Sequence, residues 1–247
     1  MNALRQIWAD GGTVVNGWVS LPCAFGAEMM AHAGFDSLTI DLQHGLHDYA
    51  SMLACLQAIR DTPALVRVPW NEPAMVGRAL DAGAVGVICP MVNTAVQAAA
   101  FVDAMRYPPQ GTRSNGPIRA GLRNNGYQAE ANADVLAIPM IETAEAVANL
   151  DAILAVPGVD AIYIGPSDLN ISMGGAAILD IEDAGRIALY ERIVAAAQSH
   201  GVRAGIHCIA ASYAVRMRSI GFGLVTAGSD AGALMNGART AVAALRL

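Results

Sequence analysis

Two acidic residues, Glu142 and Asp168, have the type and position that a divalent-metal site requires. Glu142 ends the apolar run 135–142, and Asp168 closes the run 159–168. If these runs are neighbouring parallel strands, both carboxylates reach the same end of the sheet. Hard oxygen ligands with few other protein ligands nearby suit Mg2+, Mn2+ or Co2+ with open water positions. We therefore expect a metal-dependent enzyme.

Each acidic residue also has a simpler interpretation. A carboxylate is favourable near the N-terminus of a helix, so Glu142 beside Thr143 could start a helix, and Asp168 could cap a short one. Two such residues at adjacent strand ends are better explained by a shared metal ion than by two separate caps.

Further polar residues follow other predicted strands. Arg67 lies within LVRVP and cannot lose its charge, so it needs a partner. It could form a structural ion pair with Asp41 or Glu142, or it could face a substrate carboxylate or oxyanion. His44 lies three residues after Asp41 and could move protons beside a metal site at neutral pH.

The order of apolar and amphipathic segments predicts the fold. Strands are expected at residues 13–20, 35–43, 64–69, 85–91, 135–142, 159–165, 202–207 and 222–227. Amphipathic helices are expected at residues 49–60, 73–82, 94–105, 144–154, 182–199 and 210–220. Apolar strands alternating with helices indicate a covered parallel sheet. The pattern predicts an α/β protein with one (β/α)8 barrel over residues 1–247, rather than an open sheet.

Residues 107–133 interrupt this alternation, because the segment is rich in Gly, Pro, Asn and Arg. It is longer than an ordinary loop between a strand and a helix. We expect either a functional or interface element, or a surface excursion without a role.

The composition excludes several classes of function. The net charge of −6 and the lack of a basic cluster argue against a nucleic-acid partner. Mean hydropathy is +0.40, yet no run of 18 apolar residues predicts a membrane span. Four cysteines without a CxxC pair, and no signal-like N-terminus, predict a reducing, cytoplasmic setting. All 15 residues counted as Lys or Arg are arginine, which excludes a lysine Schiff base.

Several motifs occur together in a recognisable order. They are FDSLTIDLQHG (35–45), LVRVPWN (65–71), ALDAGAVGVICPMV (79–92), RYPPQGTR (106–113), PMIET (139–143) and VDAIYIGPSDLNISMG (159–174). In this order they resemble the 4-hydroxy-2-oxoheptanedioate aldolase family of the HpcH/HpaI type, which are divalent-metal, class II pyruvate aldolases. The similarity runs from about Gly17 to the C-terminus.

The resemblance implies roles for particular residues. Glu142 and Asp168 would hold the metal, and Arg67 would contact the keto-acid oxygen and stabilise the enolate. His44 would serve the proton transfers, with support from Asp41 and Asp81.

The resemblance also implies the substrate contacts and the assembly. The turn at Gly165, Pro166 and Ser167 would hold the pyruvate carboxylate, and Trp18 would be an aromatic residue at the mouth of the site. The barrel would form a homohexamer that exchanges its last helix between subunits, with residues 113–122 approaching a neighbouring site. Gln43 departs from the family, many members of which have Glu there, so the environment of the metal and its water would differ.

The expected reaction is reversible aldol addition of a pyruvate-type enolate to an aldehyde, and cleavage of 4-hydroxy-2-oxo acids in reverse. The partners would be a small keto acid and an aldehyde. Two alternatives stay open. One is a lyase or decarboxylase on the same barrel that acts through an enolate of an acyl-CoA or oxaloacetate. The other is a non-catalytic barrel that serves as a binding module.

Overall fold

The computed structural model describes residues 2–246, in which eight parallel strands close into a barrel. Each strand pairs with the next in sequence, and the last pairs with the first. The strands are β1 (Val14–Val19), β2 (Ser37–Asp41), β3 (Ala64–Arg67), β4 (Gly86–Cys89), β5 (Leu136–Ile141), β6 (Ala161–Ile164), β7 (Arg203–Cys208) and β8 (Leu224–Ser229). The predicted (β/α)8 barrel is therefore confirmed.

Helices surround the barrel and connect its strands. They are α1 (Ala3–Ala9), α2 (Ala24–Ala31), α3 (Tyr49–Ile59), α4 (Pro73–Asp81), α5 (Ala95–Met105), α6 (Ile118–Arg123), α7 (Tyr127–Asp134), α8 (Ala144–Ala148), α9 (Leu150–Leu154), α10 (Pro166–Ser172), α11 (Ala184–Ser199), α12 (Ala211–Ile220) and α13 (Asp230–Leu245). Within residues 2–246, no helix is long and apolar enough to cross a membrane.

The barrel has two hydrophobic layers because alternate strand residues face opposite sides. Outward-facing residues such as Val66 and Ile162 pack beneath the helices. Inward-facing residues such as Leu65 and Ile138 form a second cluster, which Leu4 and Trp8 of α1 join at the N-terminal ends of the strands. The Trp8 indole donates a hydrogen bond of 2.7 Å to the Gly223 carbonyl oxygen. Side chains of α1 therefore fill the interior at this end.

One predicted helix is divided in the structure, and the segment that interrupts the predicted alternation contains helices of its own. The predicted helix 144–154 is divided at Asn149, whose amide donates to the Asn93 carbonyl oxygen, so that α8 and α9 are separate. The segment 107–133 contains α6 and all of α7 except its last residue. The Arg119 guanidinium fastens α6 to the body of the barrel through the Leu56 carbonyl oxygen at 2.8 Å.

One half-buried carboxylate, that of Asp160, joins distant parts of the chain. Asp160 accepts hydrogen bonds from Arg5 at 2.8 Å, Arg106 at 3.1 Å and the Ala137 amide at 2.8 Å. The Arg106 side chain is only 6% exposed. Burial lowers the pKa of Arg106, and the Asp160 charge opposes that change. Asp160 therefore compensates a charge that would otherwise be costly to bury.

Asp160→Ala is expected to lower the free energy of unfolding by roughly 3–5 kcal/mol, because it leaves the Arg106 charge buried without an anionic partner. Urea denaturation followed by circular dichroism measures the change. Asp151→Ala is the matched control, since the Asp151 side chain is 83% exposed. It should change stability by no more than about 0.5 kcal/mol. Equal effects of the two substitutions would contradict this account of Asp160.

Candidate active site

A pocket of about 390 Å3 opens at the C-terminal ends of the strands. This is the end at which (β/α)8 barrels carry their active sites. The side chains that were predicted as site residues meet here, with the exception of Asp81. The pocket is lined by Trp18, Ser20, Asp41, His44, Arg67, Met140, Glu142, Tyr163, Gly165, Pro166, Ser167, Asp168, Leu179, His207 and Ser229.

Arg67 and Asp41 form a two-point ion pair on one side of the pocket. Arg67 donates from Nε to Oδ1 at 2.8 Å and from Nη2 to Oδ2 at 2.6 Å. Burial alone would raise the pKa of Asp41, but the hydrogen bonds and charge of Arg67 hold it below its usual value. Within residues 2–246, the remaining Arg67 nitrogen, Nη1, makes no hydrogen bond, so it is available to a ligand.

Trp18 and His44 both contact this ion pair through Asp41. The Trp18 indole donates to Asp41 Oδ2 at 3.2 Å, and its ring lies 4.9 Å from the Arg67 guanidinium carbon. The His44 backbone amide donates to Asp41 Oδ1 at 3.3 Å, and the side chain is exposed at the pocket. Asp41 therefore holds both the guanidinium and the backbone of the loop that carries His44.

Glu142 lies at the end of β5 and is only 2% exposed. Burial raises the pKa of Glu142 to about 7, and the nearby Asp168 charge contributes to the rise. The Met91 amide, which donates to Oε1 at 2.7 Å, and the charge of Arg67 oppose it. Glu142 does not cap a helix, because Thr143 occupies the N-cap of α8. Within residues 2–246, one backbone amide hydrogen-bonds the Glu142 carboxylate, and no cationic side chain forms an ion pair with it.

Asp168 lies in the first turn of α10, whose N-cap is Gly165. The absence of a side chain at Gly165 is required here. A Cβ atom would collide with Glu142 Oε2 and would lie 3.0 Å from Met140 Cε. Gly165 therefore lets the turn that carries Asp168 approach the Glu142 carboxylate.

The donor set fits a divalent cation with open coordination positions. Glu142 and Asp168 are close enough to repel each other, and Glu142 Oε2 accepts no hydrogen bond from residues 2–246. Within those residues, no group of three His, Cys, Asp or Glu side chains forms a closed metal site. Two carboxylates that leave the other positions to water or substrate are a set that Mg2+ and Mn2+ accept.

Asp81 is the predicted site residue that lies elsewhere. It ends α4, and α4 leads back to the N-terminal end of β4, opposite the pocket. Its carboxylate accepts a hydrogen bond of 2.7 Å from Arg113 Nη2. The expected support of His44 by Asp81 is therefore not present within one chain, because the helix between them spans the height of the barrel.

Tyr163 and His207 line the pocket but were not predicted as site residues. The Tyr163 ring stacks 5.8 Å from the Trp18 ring, and the His207 ring meets Trp18 edge-on at 4.8 Å. Burial, together with the Arg67 charge, lowers the pKa of His207 to about 4. Their positions within β6 and β7 could have identified them, because alternate strand residues face the interior of the barrel and polar residues there are candidates for the site.

The comparisons with known proteins agree with one another. The model of the HpcH/HpaI aldolase/citrate lyase family matches residues 17–237. The chain is 39% identical to a hydroxypyruvate/pyruvate aldolase of Rhizorhabdus wittichii, over 100% of this chain and 99% of the relative. It is 40% identical to a 4-hydroxy-2-oxovalerate aldolase of Rhodococcus jostii, over 86% of this chain and 85% of the relative.

Solved structures show the same similarity. A crystal structure of an HpcH/HpaI aldolase/citrate lyase family protein of Burkholderia cenocepacia superposes with a TM-score of 0.91 at 34% identity, and covers 100% of both chains. Macrophomate synthase superposes with a TM-score of 0.87 at 27% identity, over 99% of this chain and 88% of that one.

The raised pKa of Glu142 predicts a stability difference that depends on pH. The carboxyl has a pKa of about 7 in the folded protein against an ordinary value of 4.5, so its stabilising contribution is complete below the pKa of the unfolded chain. That contribution is lost as the pH rises through about 7. Relative to the metal-free wild type, metal-free Glu142→Gln should therefore be more stable at pH 8 than at pH 5, by roughly 3 kcal/mol.

Urea denaturation of both proteins in the presence of a chelator measures this difference. The comparison between variant and wild type cancels other titrating groups, including His207. A stability difference that does not change with pH would contradict the raised pKa.

Gly165→Ala is expected to weaken Mn2+ binding by roughly 10–100-fold, because the added methyl group displaces the Glu142 carboxylate. Titration followed by Mn2+ electron paramagnetic resonance measures the affinity. Gly77→Ala is the control, since a Cβ at Gly77 meets nothing within 4 Å. Undiminished Mn2+ affinity in Gly165→Ala would show that the close approach of Gly165 to Glu142 is irrelevant to the metal.

Proposed function

Because the chain belongs to the HpcH/HpaI aldolase/citrate lyase family, and is thus a carbon–carbon lyase of the aldolase type, we propose how its pocket performs a metal-dependent aldol reaction. The reaction adds the enolate of a pyruvate-type keto acid to an aldehyde, and cleaves 4-hydroxy-2-oxo acids in reverse. The observation that carries the proposal is the presence of Glu142, Asp168 and the free Nη1 of Arg67 in one pocket.

Glu142 and Asp168 would hold the metal, which is Mg2+, Mn2+ or Co2+ by the chemistry of two carboxylate ligands. When bound, the cation supplies Lewis-acid polarisation of the keto acid. The turn at Gly165, Pro166 and Ser167 begins α10, and its backbone would receive the keto-acid carboxylate at the helix N-terminus. Pyruvate and similar small 2-keto acids suit this arrangement, because their carboxylate and ketone groups are adjacent and can face the turn and the metal together.

Arg67 and His44 would act on the keto acid. His44 accepts a proton from the methyl carbon, and the electron pair of the broken C–H bond moves toward the ketone oxygen. Arg67 stabilises that negative charge, and Asp41 keeps the guanidinium in place. The carbon–carbon double bond of the enolate then supplies the electron pair for a bond to the aldehyde carbon, the ketone re-forms, and the resulting alkoxide takes the proton that His44 holds. Cleavage reverses these steps.

The names of the relatives support a small 2-keto acid as the donor. The relatives described above are named a hydroxypyruvate/pyruvate aldolase and a 4-hydroxy-2-oxovalerate aldolase. A relative of Salmonella arizonae, 35% identical over 98% of this chain, is named a 4-hydroxy-2-oxo-heptane-1,7-dioate aldolase. The first name contains two small 2-keto acids, and the other two names each describe a 4-hydroxy-2-oxo acid.

A homo-oligomer, with a hexamer as the expected form, is part of the proposal. It is supported by apolar residues that are exposed on α2 and α13, among them Phe25 and Leu234, both 68% exposed. Packing of α13 on a partner subunit would cover them. The role proposed for Asp81 also requires a second subunit, because its own pocket is at the far end of the barrel. The cytoplasmic location remains part of the same proposal.

The test is exchange of pyruvate methyl protons in D2O, measured by NMR with Mg2+ and repeated with a chelator. Arg67→Ala should bind the metal and slow exchange by roughly 100–1000-fold, because it removes the charge that stabilises the enolate. Arg216→Ala serves as the control, since Arg216 is exposed on α12 and pairs with Glu182.

Three results would contradict the proposal. Wild-type exchange that persists in chelator would remove the metal from the reaction. Unchanged exchange in Arg67→Ala would remove the role of Arg67. Pyruvate binding without exchange under any of the three metals would favour the non-catalytic binding module.

A further inference from the structure

One wall of the pocket has no role in the proposed reaction of the keto acid. Glu142, Asp168 and Arg67 follow or end β5, β6 and β3, so a keto acid held among them occupies one side of the barrel mouth. The opposite wall is formed by β7, β8 and β1. It presents His207, Ser229 and Trp18, together with Leu179 from the segment before α11.

Beneath this wall, a buried hydrogen-bond network crosses the interior of the barrel. The Ser37 and Thr39 hydroxyls donate to Asn16 Oδ1 at 2.8 and 3.1 Å. The Asn16 amide nitrogen donates to Thr226 Oγ1 at 3.0 Å. All four side chains are completely buried. Because a buried donor without an acceptor is costly, each hydroxyl proton in this network must have a destination.

The network determines the direction of the hydrogen bonds that lead to His207. Thr226 Oγ1 lies 2.6 Å from the Tyr163 hydroxyl oxygen, which lies 3.3 Å from His207 Nδ1. Thr226 already accepts from Asn16, and within residues 2–246 Tyr163 is the remaining acceptor for its proton. Thr226 therefore donates to Tyr163, and Tyr163 donates to His207 Nδ1. The ring proton of His207 is thus on Nε2.

The Nε2–H group is free for a ligand. Within residues 2–246 it has no hydrogen-bond partner, and it is not sealed from solvent. His207 is half-buried and lines the pocket. Burial and the Arg67 charge lower the pKa of His207 to about 4, so the ring is neutral near pH 7. A neutral imidazole gives a hydrogen bond from Nε2 without supplying a charge.

The surrounding wall favours an uncharged ligand. Leu179, Trp18 and Ser229 carry no charge, and the Arg67 guanidinium, which lies 4.9 Å from the Trp18 ring, is already paired with Asp41, so a carboxylate on this wall would find no unpaired cation. The wall is also fixed in place, because the Asp180 carboxylate accepts hydrogen bonds from the Ile209 and Ala210 amides at 3.0 and 2.8 Å. These bonds tie the segment carrying Leu179 to the end of β7.

We propose that His207 is a specificity-determining residue, whose Nε2–H donates a hydrogen bond to a hydroxyl oxygen of the aldehyde. The enzyme then prefers small, neutral hydroxyaldehydes to alkyl aldehydes of the same size. Tyr163 is a positioning residue, because it fixes the proton on Nε2 without touching the aldehyde. This assignment rests on the proposed aldol function and names the class of its second substrate.

The test compares two acceptors of nearly equal size with pyruvate as the donor. Glycolaldehyde has a hydroxyl where propanal has a methyl group. Wild-type kcat/KM should favour glycolaldehyde by roughly tenfold, since one hydrogen bond is at stake. His207→Leu should abolish the preference, mainly through loss with glycolaldehyde. His200→Leu is the control, because His200 lies at the end of α11 beside Asp151, and it should keep the wild-type ratio.

The tautomer is tested separately by 15N NMR of the wild-type protein. The spectrum should show the His207 proton on Nε2, and Tyr163→Phe should shift the tautomer and reduce the preference for glycolaldehyde. This readout does not depend on whether His207→Leu folds. A proton on Nδ1 in the wild type would overturn the inference.

Two other results distinguish this inference from the proposed function. If the wild type exchanges pyruvate methyl protons but accepts both aldehydes equally, the role of His207 is wrong and the aldol function stands. If His207→Leu lowers kcat/KM equally for glycolaldehyde and propanal, the role of His207 is likewise wrong and the aldol function stands. If the wild type neither exchanges those protons nor adds pyruvate to any aldehyde, the proposed function itself fails.

Discussion

The repulsion between two carboxylates, Glu142 and Asp168, is the constraint on which the site depends. Glu142 is buried against Gly165 at the end of β5, and α10 brings Asp168 beside it. Without a cation, burial and the neighbouring charge raise the pKa of Glu142 to about 7. A divalent cation would relieve both effects at once. The barrel therefore maintains an arrangement of acidic groups that is unfavourable by itself and that a bound metal would stabilise.

The charges of Arg67 and Asp41 compensate each other, in contrast to the two neighbouring carboxylates. Arg67 is held by two hydrogen bonds to Asp41, which also accepts from Trp18. The guanidinium is therefore rigid and keeps one nitrogen free. An oxygen that develops negative charge between this cation and the acidic pair needs little rearrangement of the protein. On the wall formed by β7, β8 and β1, the hydrogen-bond network from Asn16 to His207 orients a neutral donor, the Nε2–H group of His207. The pocket thus separates a charged side from a neutral side.

Much of this arrangement could be predicted from the sequence, because a parallel barrel brings the ends of its strands together. Glu142, Asp168 and Arg67 each lie at the end of an apolar run. The predicted barrel was therefore sufficient to predict that their side chains lie in one pocket. The Arg67–Asp41 pair confirms the structural interpretation of Arg67, and its role toward a substrate stays a prediction. Asp81 shows the limit of this reasoning, since it lies at the end of a helix and at the opposite face. The direction of the network through Thr226 and Tyr163 was also inaccessible, because it depends on which buried atoms meet across the barrel.

The most direct measurement of the central claim is anomalous diffraction from crystals of the wild-type protein grown with Mn2+ and pyruvate. The account predicts an anomalous peak between the carboxylates of Glu142 and Asp168, with the keto acid on the side of Arg67. Full occupancy of Mn2+ elsewhere in the barrel, with no peak between those two carboxylates, would contradict it.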